Sequence, residues 1–346
     1  MDSEHVFSSG FNERYNLVTR KLIRLLSQDS EASISKISKQ IGMSRETTRN
    51  RLRKIESEFG INYTIEIDGE ALNLADPHLI AVKFDSKPDF DKITSMLEKS
   101  YIPQLAVSIK GDYGMVICAI ATSSREYAHW DKGMQIALSE YGADWRSSEV
   151  VHRQLGFFPF RNELIDRLQI AQKHKDILKA LNANSRTSFH ALSKQIGMHP
   201  NTLVYNRNKL IAMGYINRFT ITMSKPRDVS LMSFFAKYRP RAGYEDASAQ
   251  ARQAFMSDDE NSLISRYVLC APLIGSYDFF TIGAFDDTET AHKRDVEYHR
   301  NLFKKQGIQM VCGEVDRVLM GRLPLRSVDT RKEYSTIKWT SDVAPQ

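Results

Sequence analysis

The chain has 346 residues, is 42% hydrophobic and 26% charged, and carries a formal net charge of +6. That length exceeds what one core fills, so about two to four domains are expected. The balance excludes a disordered or fibrous chain, and the longest apolar run, at 115–121, is too short to span a bilayer.

The first residues, MDSEHVFSSGFNER, hold neither a basic start nor an apolar run, so a cytoplasmic protein without a membrane partner is expected. Apolar residues at helical spacing then predict helices over 16–28, 35–41 and 45–59. Gly42 closes the short turn between the second and third, and Ser44 offers a side-chain oxygen to cap the third. A β-rich stretch at 61–67 fits a wing, which completes a winged helix-turn-helix plan. Next come a strand at 78–84, a helix at 89–99, strands at 104–109 and 113–121, a helix at 124–141 and a strand at 145–155. This is the split βαβ, ferredoxin-like order.

The plan then starts again. Ser38-Lys39-Gln40-Ile41-Gly42-Met43 recurs as Ser193-Lys194-Gln195-Ile196-Gly197-Met198, a shift of 155 positions (193 minus 38). Leu22, Ile23 and Leu26 match Ile177, Leu178 and Leu181 at the same shift, so the apolar faces are kept while the surface changes. His199 replaces the Ser44 cap, with Pro200 well placed at the first helical position, and 216–223 repeats the wing. A second βαββαβ order follows at 231–238, 243–255, 265–269, 277–285, 288–306 and 309–319. Its end repeats too: Gly156, Pro159 and Arg161 recur as Gly321, Pro324 and Arg326, now at a shift of 165 (321 minus 156), with the extra residues placed near 257–261. The expected domains are 1–70 and 162–225 for the helix-turn-helix modules, 71–161 and 226–326 for the ferredoxin-like units, and a polar tail at 327–346.

Charge is concentrated in the first module. Between Lys36 and Lys54 stand seven basic residues and one acid, Glu46, a local net of +6, whereas 191–209 holds only Lys194, Arg207 and Lys209. Leu52 and Ile55 face inward, which leaves Arg45, Thr47, Arg49, Asn50 and Arg53 for solvent, as a solvated basic face, or for a DNA groove; Arg and Asn are the side chains that pair bidentately with guanine and adenine edges. Phosphate contacts are expected from Lys36, Lys39, Lys54 and Lys209, and base contacts from Arg45, Thr47, Arg49 and Asn50. Ser44, Thr48 and Arg53, with Asn201, Thr202, Tyr205 and Asn206 of the second module, complete the expected DNA surface. Arg207 stands where the first module has core Leu52, so either its helix is rotated or the guanidinium snorkels outward.

A winged helix-turn-helix followed by a βαββαβ domain, seen twice over residues 15–326, resembles the Lrp/AsnC family of leucine-responsive, feast/famine regulators; the segments ISKISKQIGMSRETTRNRLRKIESEFGI and Ile274-Gly275-Ser276-Tyr277-Asp278 carry the resemblance. It implies an α+β protein with two winged helix-turn-helix domains, each followed by a ferredoxin-like (RAM-type) domain. Ordinary members dimerise through their sheets, so the two sheets here are expected to pack face to face as an intramolecular pseudo-dimer, with further homo-oligomerisation open. The implied function is sequence-specific binding of double-stranded DNA in transcription regulation, at an asymmetric pair of half-sites with the first helix the stronger reader. The resemblance also implies a small amino-acid-like effector near Gly275, Ser276, Tyr277 and Asp278; the alternative is a tight turn in which Asp hydrogen-bonds the backbone. The first unit reads Gly111-Asp112-Tyr113-Gly114 and lacks the acid at that place.

No cofactor, metal or catalytic set is expected. Cys118, Cys270 and Cys312 lie in strand-like segments without metal spacing and read as reduced core thiols, and His292 and His299 share a predicted helix without a third ligand. Siroheme decarboxylases use paired units of the same kind, so an enzyme of that type is the rival reading, as is a second module that binds a partner instead of DNA.

Overall fold

A computed structural model of the chain describes residues 17–151, 156–223, 230–238, 267–285 and 308–324, with single positions at 289, 293 and 297. The first module is α1 (Leu17–Gln28), α2 (Ile34–Ile41) and α3 (Arg45–Phe59), followed by β1 (Asn62–Ile67). Leu22 and Leu26 of α1 pack with Ile37, Leu52, Ile55 and Phe59, all of them nearly inaccessible. Ser33 and Ser44 cap α2 and α3 by accepting the backbone N–H of Lys36 (3.2 Å) and Thr47 (3.1 Å). Gly42 turns between them at φ +72°.

The first ferredoxin-like unit is β2 (His78–Lys83), α4 (Phe90–Glu98), β3 (Pro103–Gly111), β4 (Met115–Ala119), α5 (Ser124–Ala137) and β5 (Asp144–Val150), in sheet order β3-β4-β2-β5. Its outward side chains, Ile80, Val82, Met115 and Ile117, pack with Ile93 and Leu97 of α4 and Met134 of α5. The inward set from the same strands, Leu79, Ala81, Val116 and Cys118, joins Phe235, Leu269, Phe280 and Ile282 of the second unit. Side chains alternate between faces along each strand, and here both faces are covered, so the strands read as continuous apolar runs.

A short helix that the sequence pattern did not predict, α6 (Asn162–Arg167), leads into α7 (Gln172–Ala183), α8 (Phe189–Gln195), α9 (Pro200–Ala212) and β6 (Ile216–Met223). The second unit contributes β7 (Ser230–Tyr238), β8 (Tyr267–Gly275), β9 (Phe279–Phe285) and β10 (Ile308–Met320), in order β8-β9-β7-β10, and the chain returns to the modules as β11 (Leu323–Pro324). β8 runs past its expected end at 269, through Pro272. The helix expected at 243–255, most of the one at 288–306 with His292 and His299, the insertion near 257–261 and the tail lie outside the described residues. Glu289, Lys293 and Glu297 within the expected second helix are helical and exposed. No helix among the described residues is long and apolar enough to cross a membrane.

The two sheets face one another and are also joined at their edges. β10 pairs with β7 through 308–314 and with β3 through 313–320, where two register shifts bend it from one sheet to the other. At the opposite seam β5 pairs with β8 over Ser148–Val150. Between the faces, the Tyr113 hydroxyl lies 2.7 Å from Ser233 Oγ and donates to the Ser233 carbonyl at 2.9 Å. The repeated glycines mark where one unit approaches the other. Gly156 (φ +76°) lies against Val268 and Leu269, and Gly321 (φ +78°) against Gln104 and Leu105.

The wing stretches do not stand apart as separate hairpins. β1 and β6 pair with each other antiparallel, with Thr64 opposite Thr220 and Ile65 opposite Phe219. A shift of 155 carries Thr64 onto Phe219 and Ile65 onto Thr220, so the register is two-fold symmetric about the centre of the pair. The Thr64 hydroxyl donates to the Asn182 carbonyl (2.8 Å) at the end of α7, and the Thr220 hydroxyl donates to the Ser27 carbonyl (2.7 Å) at the end of α1. Each wing strand therefore ties down the first helix of the other module. Arg322, whose guanidinium burial pulls below its ordinary pKa, closes this centre by donating to Asn182 O (2.9 Å) and Oδ1 (2.8 Å).

The glycines give a direct stability test. A Cβ at Gly321 would lie 2.1 Å from the Gln104 carbonyl oxygen, whereas one at Gly42 would meet nothing within 4 Å. Gly42→Ala should cost only the left-handed backbone, about 1 kcal/mol, while Gly321→Ala should cost about 2–4 kcal/mol because backbone must also move. Denaturant unfolding of the two variants measures the difference.

Candidate nucleic-acid interface

Helix α3 buries one face and exposes the others. Thr48, Leu52, Ile55 and Phe59 are buried, while Arg45, Glu46, Thr47, Arg49, Asn50, Arg53 and Lys54 are exposed. Lys36, Lys39 and Ser44 are exposed beside them. Arg45, Arg49 and Arg53 are four apart and so lie in one row along the helix. Arg45 donates to Ser35 Oγ (3.0 Å), which holds its guanidinium at the start of α3. Among the described residues none of these three arginines has an acidic partner. Lys36 and Lys54 pair at the surface with Asp29 (2.9 Å) and Glu58 (3.8 Å), contacts weak enough for phosphate to displace.

Two expected contacts are corrected. Thr48 is fully buried, and its hydroxyl donates to the Ser44 carbonyl (2.9 Å) inside the module, on the same face as Leu52 and Ile55. Asn206 is 1% exposed; its Oδ1 lies 3.2 Å from His174 Nε2 and its amide donates to the Thr202 carbonyl (2.7 Å). Neither side chain reaches a groove.

Asn206 turns inward beside Arg207, which stands at the position of Leu52. The guanidinium snorkels instead over the rings of Phe219 (4.3 Å) and Phe189 (5.4 Å) to Glu31 Oε2 of the first module (2.5 Å). Of the two alternatives left open by the sequence the second holds: Leu203 and Leu210 keep the buried places of Thr48 and Ile55, so α9 is not rotated, and the arginine reaches sideways. The cap behaves as expected, with His199 Nδ1 accepting the Asn201 N–H (3.3 Å) and Pro200 at the helix start.

Arg207 belongs to a wider pattern. Arg186 bonds Glu56 (3.6 Å) and lies 3.7 Å over the ring of Tyr63, whose own hydroxyl donates to Glu56. Burial and that carboxylate push the Tyr63 pKa up. Arg218 pairs with Glu66, whose side chain is 3% exposed. In all three pairs the second module supplies the arginine and the first module the acid. Three cations of the second module thus hold its neighbour, while Arg45, Arg49 and Arg53 of the first are exposed.

Of the remaining expected contacts, Asn201, Thr202, Tyr205 and Lys209 are exposed on or beside the outer face of α9. Sequence reading passed over Val204 and Asn208, also exposed. A shift of 155 sets them at the places of Arg49 and Arg53, and that comparison is the signal that could have found them.

The expected effector turn lies in the seam between units. Gly275 (φ +136°) approaches the Ser147 carbonyl and Ser148, and the Tyr277 N–H donates to Ser148 Oγ (3.1 Å). Tyr277 is 4% exposed, which corrects its assignment as an open ligand contact. Ser276 is exposed, and Asp278 accepts from Lys237 Nζ (2.7 Å), which also donates to the Gly275 carbonyl (3.0 Å). The turn of the first unit does the equivalent work: Asp112 accepts the Cys312 N–H (2.8 Å) across the other seam. Cys118 and Cys270 are buried and Cys312 half-buried, all as free thiols. Among the described residues no group of three or more His, Cys, Asp or Glu side chains is placed to hold a metal.

The pairing of Glu66 with Arg218 can be tested. Arg218→Met should deprive a buried carboxylate of its arginine and cost about 3–5 kcal/mol, and adding Glu66→Leu should recover most of it. A double-mutant cycle by denaturant unfolding checks this; a double variant as unstable as the single one would contradict it.

Comparison with known proteins agrees with this geometry. Residues 19–56 match the AsnC-type helix-turn-helix domain, and residues 170–217 match a winged helix-turn-helix DNA-binding domain. The HTH-type transcriptional regulator FL11 of Pyrococcus horikoshii is 31% identical over 113 residues, covering 32% of this chain and 72% of that protein. The solved siroheme decarboxylase NirDL shares the paired fold across 93% of this chain and 100% of its own, with a TM-score of 0.54 at 13% identity. The chain belongs to the Lrp/AsnC family of DNA-binding transcriptional regulators, as a tandem form with two helix-turn-helix domains in one molecule.

Proposed function

We propose that the chain binds an asymmetric operator, with α3 as the stronger reader and α9 as the weaker. The observation that carries this reading is the exposed row Arg45, Arg49 and Arg53 beside Asn50 on α3, against three second-module arginines engaged with the first module. Arg45 and Arg49 would address guanine edges and Asn50 adenine, with Thr47 between them. Ser44, Lys36, Lys39, Arg53 and Lys54 would hold phosphates, joined by Thr202 and Lys209 of the second module. Paired through β1 and β6, the two readers would enter major grooves one turn, roughly 34 Å, apart.

The enzyme reading has the shared paired fold behind it, and the solved decarboxylase has also been captured with an iron-uroporphyrin III analogue. An exposed cationic reading helix favours regulation, because a tetrapyrrole enzyme has no use for one. An effector at Gly275, Ser276, Tyr277 and Asp278 has less support, since Tyr277 is buried and Asp278 is already paired.

Selection of bound sequences from random duplex DNA should yield two unequal half-sites; two equivalent inverted halves would overturn the asymmetry. Neutralising six to eight phosphates should make log affinity fall with log salt at a slope of roughly 5 to 7, and salt-insensitive binding would sink the reading. Arg45→Ala and Arg49→Ala should each weaken binding about ten-fold or more, against less than about five-fold for Asn201→Ala. The purified protein should show no porphyrin-type absorbance.

A further inference from the structure

We infer that the second module reads thymine methyl groups, so that the weaker half-site is specified by apolar contact where the stronger one is specified by hydrogen bonds. The inference rests on the proposed DNA binding and names the base chemistry of its second half.

The replacements between α3 and α9 follow a rule. At a shift of 155, Lys39 and Lys54 are matched by Lys194 and Lys209, all four exposed. Two of the flanking cations suited to phosphate are therefore kept, while Lys36 gives way to Ala191. Every arginine of the reading row is replaced by an uncharged residue: Arg45 by Pro200, Arg49 by Val204 and Arg53 by Asn208.

The helix that bears these replacements is still properly mounted. Leu203 and Leu210 are fully buried beneath it, His199 caps it, and Gly197 makes the same left-handed turn as Gly42. A module that had lost contact with DNA would have no reason to keep Lys194 and Lys209 while holding 37% of Val204 and 67% of Tyr205 exposed to water. In the major groove the one apolar feature of a base edge is the thymine C5 methyl group. A valine at the place of Arg49 can offer that methyl an apolar contact and can offer guanine nothing. Tyr205, at the place of Asn50, adds ring surface beside it.

The test uses the full chain and duplexes recovered from random DNA. Replacing thymine by deoxyuridine removes only the methyl group, and in the second half-site it should weaken binding about four-fold per contacted base. The same replacement in the first half-site should have little effect. Val204→Ala should narrow the difference between thymine and deoxyuridine duplexes, and selection with Val204→Arg should bring guanine to the position where the wild type selects thymine. Val204 is solvent-facing, and the deoxyuridine measurement needs no variant. Equal affinity for thymine and deoxyuridine would overturn the inference, as would recovery of a single half-site, the result expected if α9 docks a protein instead. Either outcome leaves DNA reading by α3 standing, whereas failure to select any duplex overturns both.

Discussion

The pairing of β1 with β6 is the constraint on which the arrangement of the modules depends. A single strand following a helix-turn-helix leaves its backbone N–H and C=O groups without partners, and each module satisfies those groups with the other's strand. Thr64 and Thr220 then cap the ends of the opposite first helices from the middle of the pair. Neither module is complete by itself. The separation and orientation of the two reading helices are set by a strand register, and covalent linkage keeps that register formed at any protein concentration.

Fusion also lifts a restriction. In a homodimer each ion pair across the axis occurs twice, and each monomer must carry both signs. Here the acids Glu31, Glu56 and Glu66 are all on one side and the arginines Arg207, Arg186 and Arg218 on the other. At a shift of 155, Glu66 corresponds to Ile221, Arg207 to Leu52 and Glu31 to Arg186, so two copies of either module could not form the same contacts. The charges thus favour first-with-second pairing, a form of specificity gained by what the wrong pairing lacks. The cations engaged in docking do not face DNA, whereas Arg45, Arg49 and Arg53 of the first module are exposed.

The ferredoxin-like units repeat this economy in backbone terms. β10 crosses from one sheet to the other through two irregularities, and β5 meets β8 on the far side, so sheet edges that would otherwise be open are paired. Gly156 and Gly321 allow the close approach at equivalent places. The turns at Gly111 and Gly275 lie on these seams, and their polar residues are engaged there, which ties any change at the turns to the packing of one unit on the other.

The duplication, the order of the described elements, the caps at Ser44 and His199 and the inward face of α3 are legible in the sequence, because periodicity and capping are local properties of the chain. The sequence also showed the excess of charge in the first module. Sequence reading misplaced Thr48 and Asn206, left the turn holding Tyr277 between an effector site and a structural turn, and missed α6, a six-residue helix too short for periodicity to register. It left Arg207 between two alternatives. Packing settles those residues, because their places depend on neighbours far away in sequence. A helical pattern states which side of a helix is buried, but not that Glu31 waits beside Arg207, nor that β6 lies beside β1.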